Sequence, residues 1–204
     1  MTREQQRMLR ELNAALPKLV KEEASKYKIK KRDYMLYFVK GELFFDCHIS
    51  VSAINNTCLC SVREQIKPIW LDDIHWKFLG MESNSKQPVS LRAVGAFALF
   101  GVTVFEKRTE LKNWSLDELK ETIAEYVAHF HKSIEEGTID DFVNGLDDGN
   151  SSNDLKKAIY YIHEERYREA LDAIGEEQKF NYINGCIDVK DSIRKFLLKQ
   201  LGQA

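Results

Sequence analysis

No apolar run in this chain is long enough to cross a bilayer. The longest, Ala93 to Phe105, is broken by Gly95, Gly101 and Thr103, and a spanning helix needs about 20 residues. The opening stretch, Met1 to Arg10, is polar and charged rather than a basic tip followed by an apolar block, so no signal peptide and no membrane attachment are expected, and the expected location is the cytoplasm. An excess of one charge sign is also missing. Thirty Lys and Arg face 32 Asp and Glu, a net charge of −2. Gripping a phosphate backbone takes a basic excess, so nucleic acid is not an expected partner. The one basic run, Lys26, Lys28, Lys30, Lys31 and Arg32, reads as a solvated connector. Cysteine is sparse, and Cys58-x-Cys60 lacks the two-residue spacer of a metal knuckle or redox motif. There is no Gly-rich phosphate loop, zinc-ligand set or nucleophile elbow. No catalytic residue, metal or cofactor is therefore expected from motifs.

What is present suffices for a packed domain. Hydrophobic residues make up 44% of the 204, enough for a core, and the near-balanced charges argue against a disordered chain.

The most informative stretch is Tyr34 to Pro68, which reads as a three-stranded antiparallel meander. Leu43, Phe45, Cys47, Ile49, Val51 and Ala53 alternate with Asp46, His48, Ser50 and Ser52. That period of two places one face in a core. Asn55-Asn56 supplies a tight turn, since Asn tolerates left-handed dihedrals. With that turn Val51 meets Cys60 and Ile49 meets Val62, apolar against apolar, and a one-residue slip would oppose Val51 to Ser61. A turn near Lys40-Gly41 joins the first two strands; moving it by one residue preserves the faces. Cys47, Cys58 and Cys60 share the apolar face and are expected to behave as small hydrophobes. The other face collects Tyr37, Phe44, Asp46, His48, Ser50, Ser61, Arg63 and Gln65, with His48 opposite Arg63 and Asp46 opposite Gln65.

Around this ribbon, Arg3 to Lys26 has helical spacing of Met8, Leu9, Leu12, Ala15, Leu16, Leu19 and Val20; Pro17 either kinks or splits it, and because the stripe continues in phase past Pro17 a kink is expected. Leu71, Ile74 and Phe78 predict a short helix or turn ending at Gly80. Ser90 to Lys107 reads as one long buried strand, bent at Gly101. Ser115 to Glu136 is a helix with a capping box of Ser115 and Glu118 and a buried stripe of Leu116, Leu119, Ile123, Val127, Phe130 and Ile134, stopped by Gly137. Thr138 to Leu146 is a short helix with Ile139, Phe142, Val143 and Leu146 inward. Asp147 to Asn153 reads as a linker. Helices then run from Asp154 to His163, from Arg166 to Ile174 and from about Asp188 onward. The fold class expected is α+β: an antiparallel sheet of about four strands packed against an N-terminal and a central helix, with a C-terminal all-helical segment. Residues 1–137 form the sheet domain and 138–204 a helical extension or subdomain packed on it.

Two motifs fail on geometry. Asp147-Asp148-Gly149-Asn150 would place Leu146 and Leu155 at calcium-ligand positions, and leucine cannot ligate. His129-x-His131 points its two rings to different sides of a helix, so surface pairing with Glu125 and Glu135 is expected instead of a metal.

Tyr34 to Ile49 with its tandem strands, Lys67-Pro68, Leu71-Asp72-Asp73-Ile74 with Trp76, and Gly95-Ala96-Phe97 together resemble bacterial domains grouped with the immunity proteins of polymorphic toxin systems. The resemblance covers Met1 to Glu136. It implies a non-enzymatic, partner-binding role with another protein as partner, and it transfers no functional residue. On this expectation the contact surface is the polar sheet face or the acidic helical end; the sheet-face residues are Tyr37, Phe44, Asp46, His48, Arg63 and Gln65, exposed and without a deep pocket. The alternative is a small-molecule or nucleotide-processing enzyme with a polar cleft on that face, His48 serving as base, Asp46 orienting it and Arg63 holding an anion.

Overall fold

The computed structural model describes residues 1–95, 97–147, 153–175 and 183–203. The chain is α+β, and it divides into two compact units. One is Met1–Ile66 with Thr103–Thr138; the other is Lys67–Val102 with Ile139–Ala204. The segment 67–102, grouped by sequence with the first 137 residues, thus clusters with the C-terminal third.

In the first unit, helix α1 (Arg3–Lys26) opens with a capping box: Thr2 Oγ1 accepts from Gln5 N at 3.1 Å and Gln5 Oε1 accepts from Thr2 N at 2.8 Å. The helix continues through Pro17, which removes the split alternative. Strands β1 (Lys30–Arg32), β2 (Met35–Lys40), β3 (Leu43–Ile54), β4 (Thr57–Pro68) and β5 (Val102–Glu110) form one antiparallel sheet in that order. The basic run read as a connector supplies β1, a short edge strand paired Lys30↔Tyr37 to Arg32↔Met35. Lysine and arginine suit an edge, because their charge discourages another strand from pairing there.

The meander forms with the expected faces. Lys40 pairs with Leu43 and Phe38 with Phe45, so the turn is Gly41-Glu42, one residue beyond the expected site with parity intact. Asn55 and Asn56 both have positive φ, 50° and 64°, the backbone that a two-residue turn with the right twist requires. Phe45, Cys47, Ile49, Val51, Cys58, Cys60 and Val62 are all buried. Burial pushes the Cys60 thiol up to about 12, and raises Cys47 too, with Glu64 and Asp46 adding to the effect. These thiols are packing groups at neutral pH.

Helix α4 (Leu116–Glu136) packs with α1 and against β3. Leu119, Ile123, Val127, Phe130 and Ile134 are buried as its periodicity demands, but Leu116, in the first turn, is half exposed. Ser115 caps it by accepting from Glu118 N. The reciprocal half of the expected box is replaced: Glu118 accepts from Asn113 N at 2.9 Å. At the other end Lys40 Nζ donates to the carbonyls of Ile134, Glu135 and Gly137, placing a cation at the negative pole of the helix. Gly137 ends the helix at φ −62°, so it is not a left-handed cap. It is glycine for lack of room, since a Cβ would lie 2.6 Å from Phe45 Cε1 and 2.6 Å from Ser133 O. Gly137→Ala is expected to cost about 1–3 kcal/mol by overpacking, read by chemical denaturation; an unchanged midpoint would show that the ring and helix end yield freely.

In the second unit, α2 (Ile69–Phe78) follows Pro68 directly, and Gly80 has φ 67°. A single turn α3 (Leu91–Val94) precedes an irregular stretch. The long strand expected over Ser90–Lys107 is therefore corrected to a helical turn, a loop and β5. The β-branched Val102-Thr103-Val104 segment is strand; before it, Trp76 Nε1 donates to Phe97 O and Lys67 Nζ to Leu99 O, and these side chains hold the backbone away from a ladder. Helices α5 (Ile139–Gly145), α6 (Asp154–His163), α7 (Tyr167–Ile174) and α8 (Val189–Gln200) follow. Phe142 and Leu146 are buried, whereas Ile139 is 41% exposed, against expectation. Trp70 stacks on His163 with centroids 3.9 Å apart and meets Phe142 edge-on. A hairpin, β6 (Ile183–Asn184) and β7 (Ile187–Asp188), leads into α8, whose first turn is capped by Asp188 accepting from Lys190 N and Asp191 N. Of the linker expected over Asp147–Asn153, residues 148–152 lie outside the described residues.

A buried charge cluster pins this unit. Lys67 and Asp72 are fully buried, with Nζ and Oδ2 2.8 Å apart. Asp72 Oδ1 accepts from Leu99 N at 2.8 Å. Arg92 reaches Asp72 at 3.6 Å, donates to Asp73 at 2.7 Å and to Ile69 O at 2.9 Å, and lies over the Trp76 ring. Two cations thus face two carboxylates, the condition under which buried charge is tolerable.

Candidate functional site

The polar side of β3, β4 and β5 carries an open groove of about 240 Å³, lined by His48, Ser50, Ser52, Ile54, Ser61, Val62, Arg63, Glu106 and Arg108. Its geometry follows from the two-residue Asn55-Asn56 turn, which carries the alternation of β3 into β4. β5 adds Glu106 and Arg108, two residues apart and so on one side of the strand. Glu106 is shared: Arg63 Nη2 is 3.4 Å from Oε2 and Arg108 Nη2 is 3.5 Å from Oε1. All three side chains are 40–60% exposed, so neither pair is strong. Two guanidiniums on one carboxylate leave a local positive charge.

His48 is half-buried beside them, with the exposed Tyr34 ring edge-on at 5.5 Å. Burial lowers its pKa from the ordinary value, and the Arg63 charge lowers it further. The imidazole is therefore neutral at pH 7 and adds hydrogen-bonding capacity without charge.

Of the six residues expected on an exposed face, the groove brings together His48 and Arg63. Tyr37, Phe44 and Asp46 point to the expected side but are buried, at 8%, 0% and 3% exposure, and Gln65 is partly buried. Tyr37 and Phe44 stack nearly parallel, 5.8 Å apart; two large rings on one face are withdrawn from water together. Asp46 does not line the groove. Sequence reasoning misses Glu106 because Ser90–Lys107 reads as a strand buried on both sides, and misses Arg108 because it follows that stretch. Val104, Glu106 and Arg108 on one parity are no more polar than Phe105, Lys107 and Thr109 on the other, so periodicity offers no signal for this face.

A second constellation lies on the opposite, helix-covered side. Glu64 is fully buried among the apolar residues of β4, and its carboxylate accepts from Ser133 Oγ at 2.6 Å and faces His129 Nδ1 at 2.9 Å. The His129 ring stacks on Phe105 at 3.7 Å. Burial raises the Glu64 pKa; Ser133 and His129 oppose that rise. The expected pairing of His129 with Glu125 is corrected: Glu125 holds Lys107 at 2.6 Å, and His129 turns inward to the buried carboxylate. His131 sits 3.8 Å from Glu135, as expected. Ser133 donates its hydroxyl proton to Glu64, so that proton is not directed at His129. The parity of β4, which sets Glu64 on the side of Cys60 and Val62, was its sequence signal.

Among the described residues no group of three or more His, Cys, Asp or Glu is placed to hold a metal ion, and no helix is long and apolar enough to cross a membrane. Comparison of the chain with protein-family models, curated proteins and solved structures finds no match.

Proposed function

We propose that this chain is a non-enzymatic protein-interaction module of the immunity type, and that its contact surface is the open part of the sheet face. The observation that supports this reading is the Arg63–Glu106–Arg108 cluster in a shallow groove, with Tyr34 beside it and Ile54 in its lining. Arginine and tyrosine are the side chains that most often dominate binding energy when a partner covers them. The surplus positive charge selects an acidic partner surface, whose carboxylates can take over the two weakly held guanidiniums.

The test is capture from bacterial extract with wild-type and Arg63→Glu/Arg108→Glu baits, followed by titration of the captured protein. Charge reversal is expected to weaken binding by at least about 100-fold, or about 2.7 kcal/mol, with an unchanged circular dichroism spectrum. Equal affinity after reversal removes this surface from consideration.

A second reading, a small-molecule or nucleotide-processing enzyme, is favoured by the concave polar lining itself: His48, three serines and two arginines. A thermal-shift screen against nucleotides and phosphorylated metabolites separates the two. A shift that disappears in Arg63→Glu supports the enzyme; no shift leaves the groove to a macromolecule.

A further inference from the structure

The two ends of the five-stranded sheet differ. β1 has three residues, all basic, whereas β5 has nine. β5 carries no proline to blunt it, and Thr103, Val104, Glu106, Lys107, Arg108 and Glu110 are exposed. Among the described residues, the backbone of β5 bonds only within the sheet. A long edge that no backbone of the described residues covers offers a row of unpaired N–H and C=O groups, which natural sheets usually cover, shorten or pair.

We propose that β5 pairs antiparallel with β5 of a second copy of this chain, joining two sheets into one across a twofold axis. Charge complementarity in the strand's own sequence singles out a second copy. A twofold axis perpendicular to the sheet sets one residue opposite itself and keeps paired residues on the same face. Centring on Glu106 would oppose two carboxylates and leave Arg108 facing Val104. Centring on Phe105 would leave Glu106 against Val104 and Arg108 against Val102. Centring on Lys107 sets Glu106 against Arg108 of the second copy, and Arg108 against Glu106 of the second copy. Phe105 then meets Thr109. Opposite charges directly across a strand pair stabilise it, and like charges do the reverse. The two lysines on the axis each already lie 2.6 Å from a Glu125 carboxylate, which offsets their repulsion. This pairing does not depend on what the groove binds, although Glu106 and Arg108 belong to both.

Sedimentation equilibrium of the full chain tests it. Wild type is expected to sediment as a dimer of the 23.7 kDa chain. Glu106→Arg alone, or Arg108→Glu alone, turns both cross-strand pairs repulsive and is expected to raise the dimer dissociation constant at least about tenfold. An equimolar mixture of these two variants restores opposite charges at both positions and is expected to dimerise again. Arg63→Glu, outside the strand, is expected to leave the dimer intact even where it abolishes capture of a partner. A wild type that stays monomeric into the high micromolar range overturns the proposal. So does a dimer that neither single variant weakens, or a mixture that remains monomeric while each variant keeps its native circular dichroism.

Discussion

Replacing Asp72 with alanine is expected to lower the unfolding free energy by about 3–5 kcal/mol, the range for removing one partner of a buried ion pair. Its carboxylate holds the fully buried Lys67 ammonium at 2.8 Å and accepts from Leu99 N at 2.8 Å. Without it, Lys67 keeps the carbonyls of Arg92 and Leu99 but loses the opposite charge that justified its burial. Asp72→Asn preserves the Leu99 bond and is expected to lose less. Asp72→Leu combined with Lys67→Met removes both charges and is expected to recover much of the loss, because an apolar pair leaves no charge stranded. Urea denaturation followed by tryptophan fluorescence reads all three, since Trp76 lies under Arg92 of the same cluster. A stability for Asp72→Ala within about 0.5 kcal/mol of wild type, the scatter of ordinary surface substitutions, would mean that the cluster contributes little.

Acid should act through His75. This side chain is fully buried, and burial followed by the charge of nearby Lys67 lowers its pKa from 6.5 to about 3. The unfolded chain takes up a proton on this residue near pH 6.5 and the folded chain does not. The stability His75 contributes is therefore complete above pH 6.5 and falls as pH drops toward 3, by about 1.4 kcal/mol per pH unit. Glu64 works in the opposite sense: its pKa is raised by burial, so the folded state holds the carboxyl proton more tightly, and protonation relieves a cost as pH falls. The two effects are separated by comparing wild type with His75→Gln, which cannot take up the proton. The difference in unfolding free energy between these proteins is expected to change by about 2–3 kcal/mol between pH 6 and pH 4. Parallel curves would place the His75 pKa near its ordinary value.

Much of the fold was legible because its signals are local. The alternation of β3 and the Asn55-Asn56 turn set the faces of the hairpin, and a turn displaced from Lys40-Gly41 to Gly41-Glu42 left them unchanged. Ser115 and Asp188 marked the starts of α4 and α8, and 3.6-residue spacing chose their buried stripes. Segments whose backbone is held by distant partners carry no such local signal. The 91–101 stretch is apolar enough for a strand, yet Trp76 and Lys67 bind its carbonyls from outside. β1 reads as a charged connector because three residues carry no period; pairing with β2 makes it a strand.

The candidate site divides in the same way. Side-chain direction along a strand depends only on neighbouring peptides, and on that basis the chain alone placed His48 and Arg63 together on the polar face and Cys47, Cys58 and Cys60 on the apolar one. Whether a residue on a given face meets water depends on what the rest of the chain brings over it. Tertiary packing alone buried Tyr37, Phe44 and Asp46, added Glu106 and Arg108 from a strand more than 40 residues downstream of Arg63, and drew His129 across to Glu64. Periodicity fixes orientation through bonds a few residues apart, while burial and charge pairing arise between segments that sequence order keeps separate.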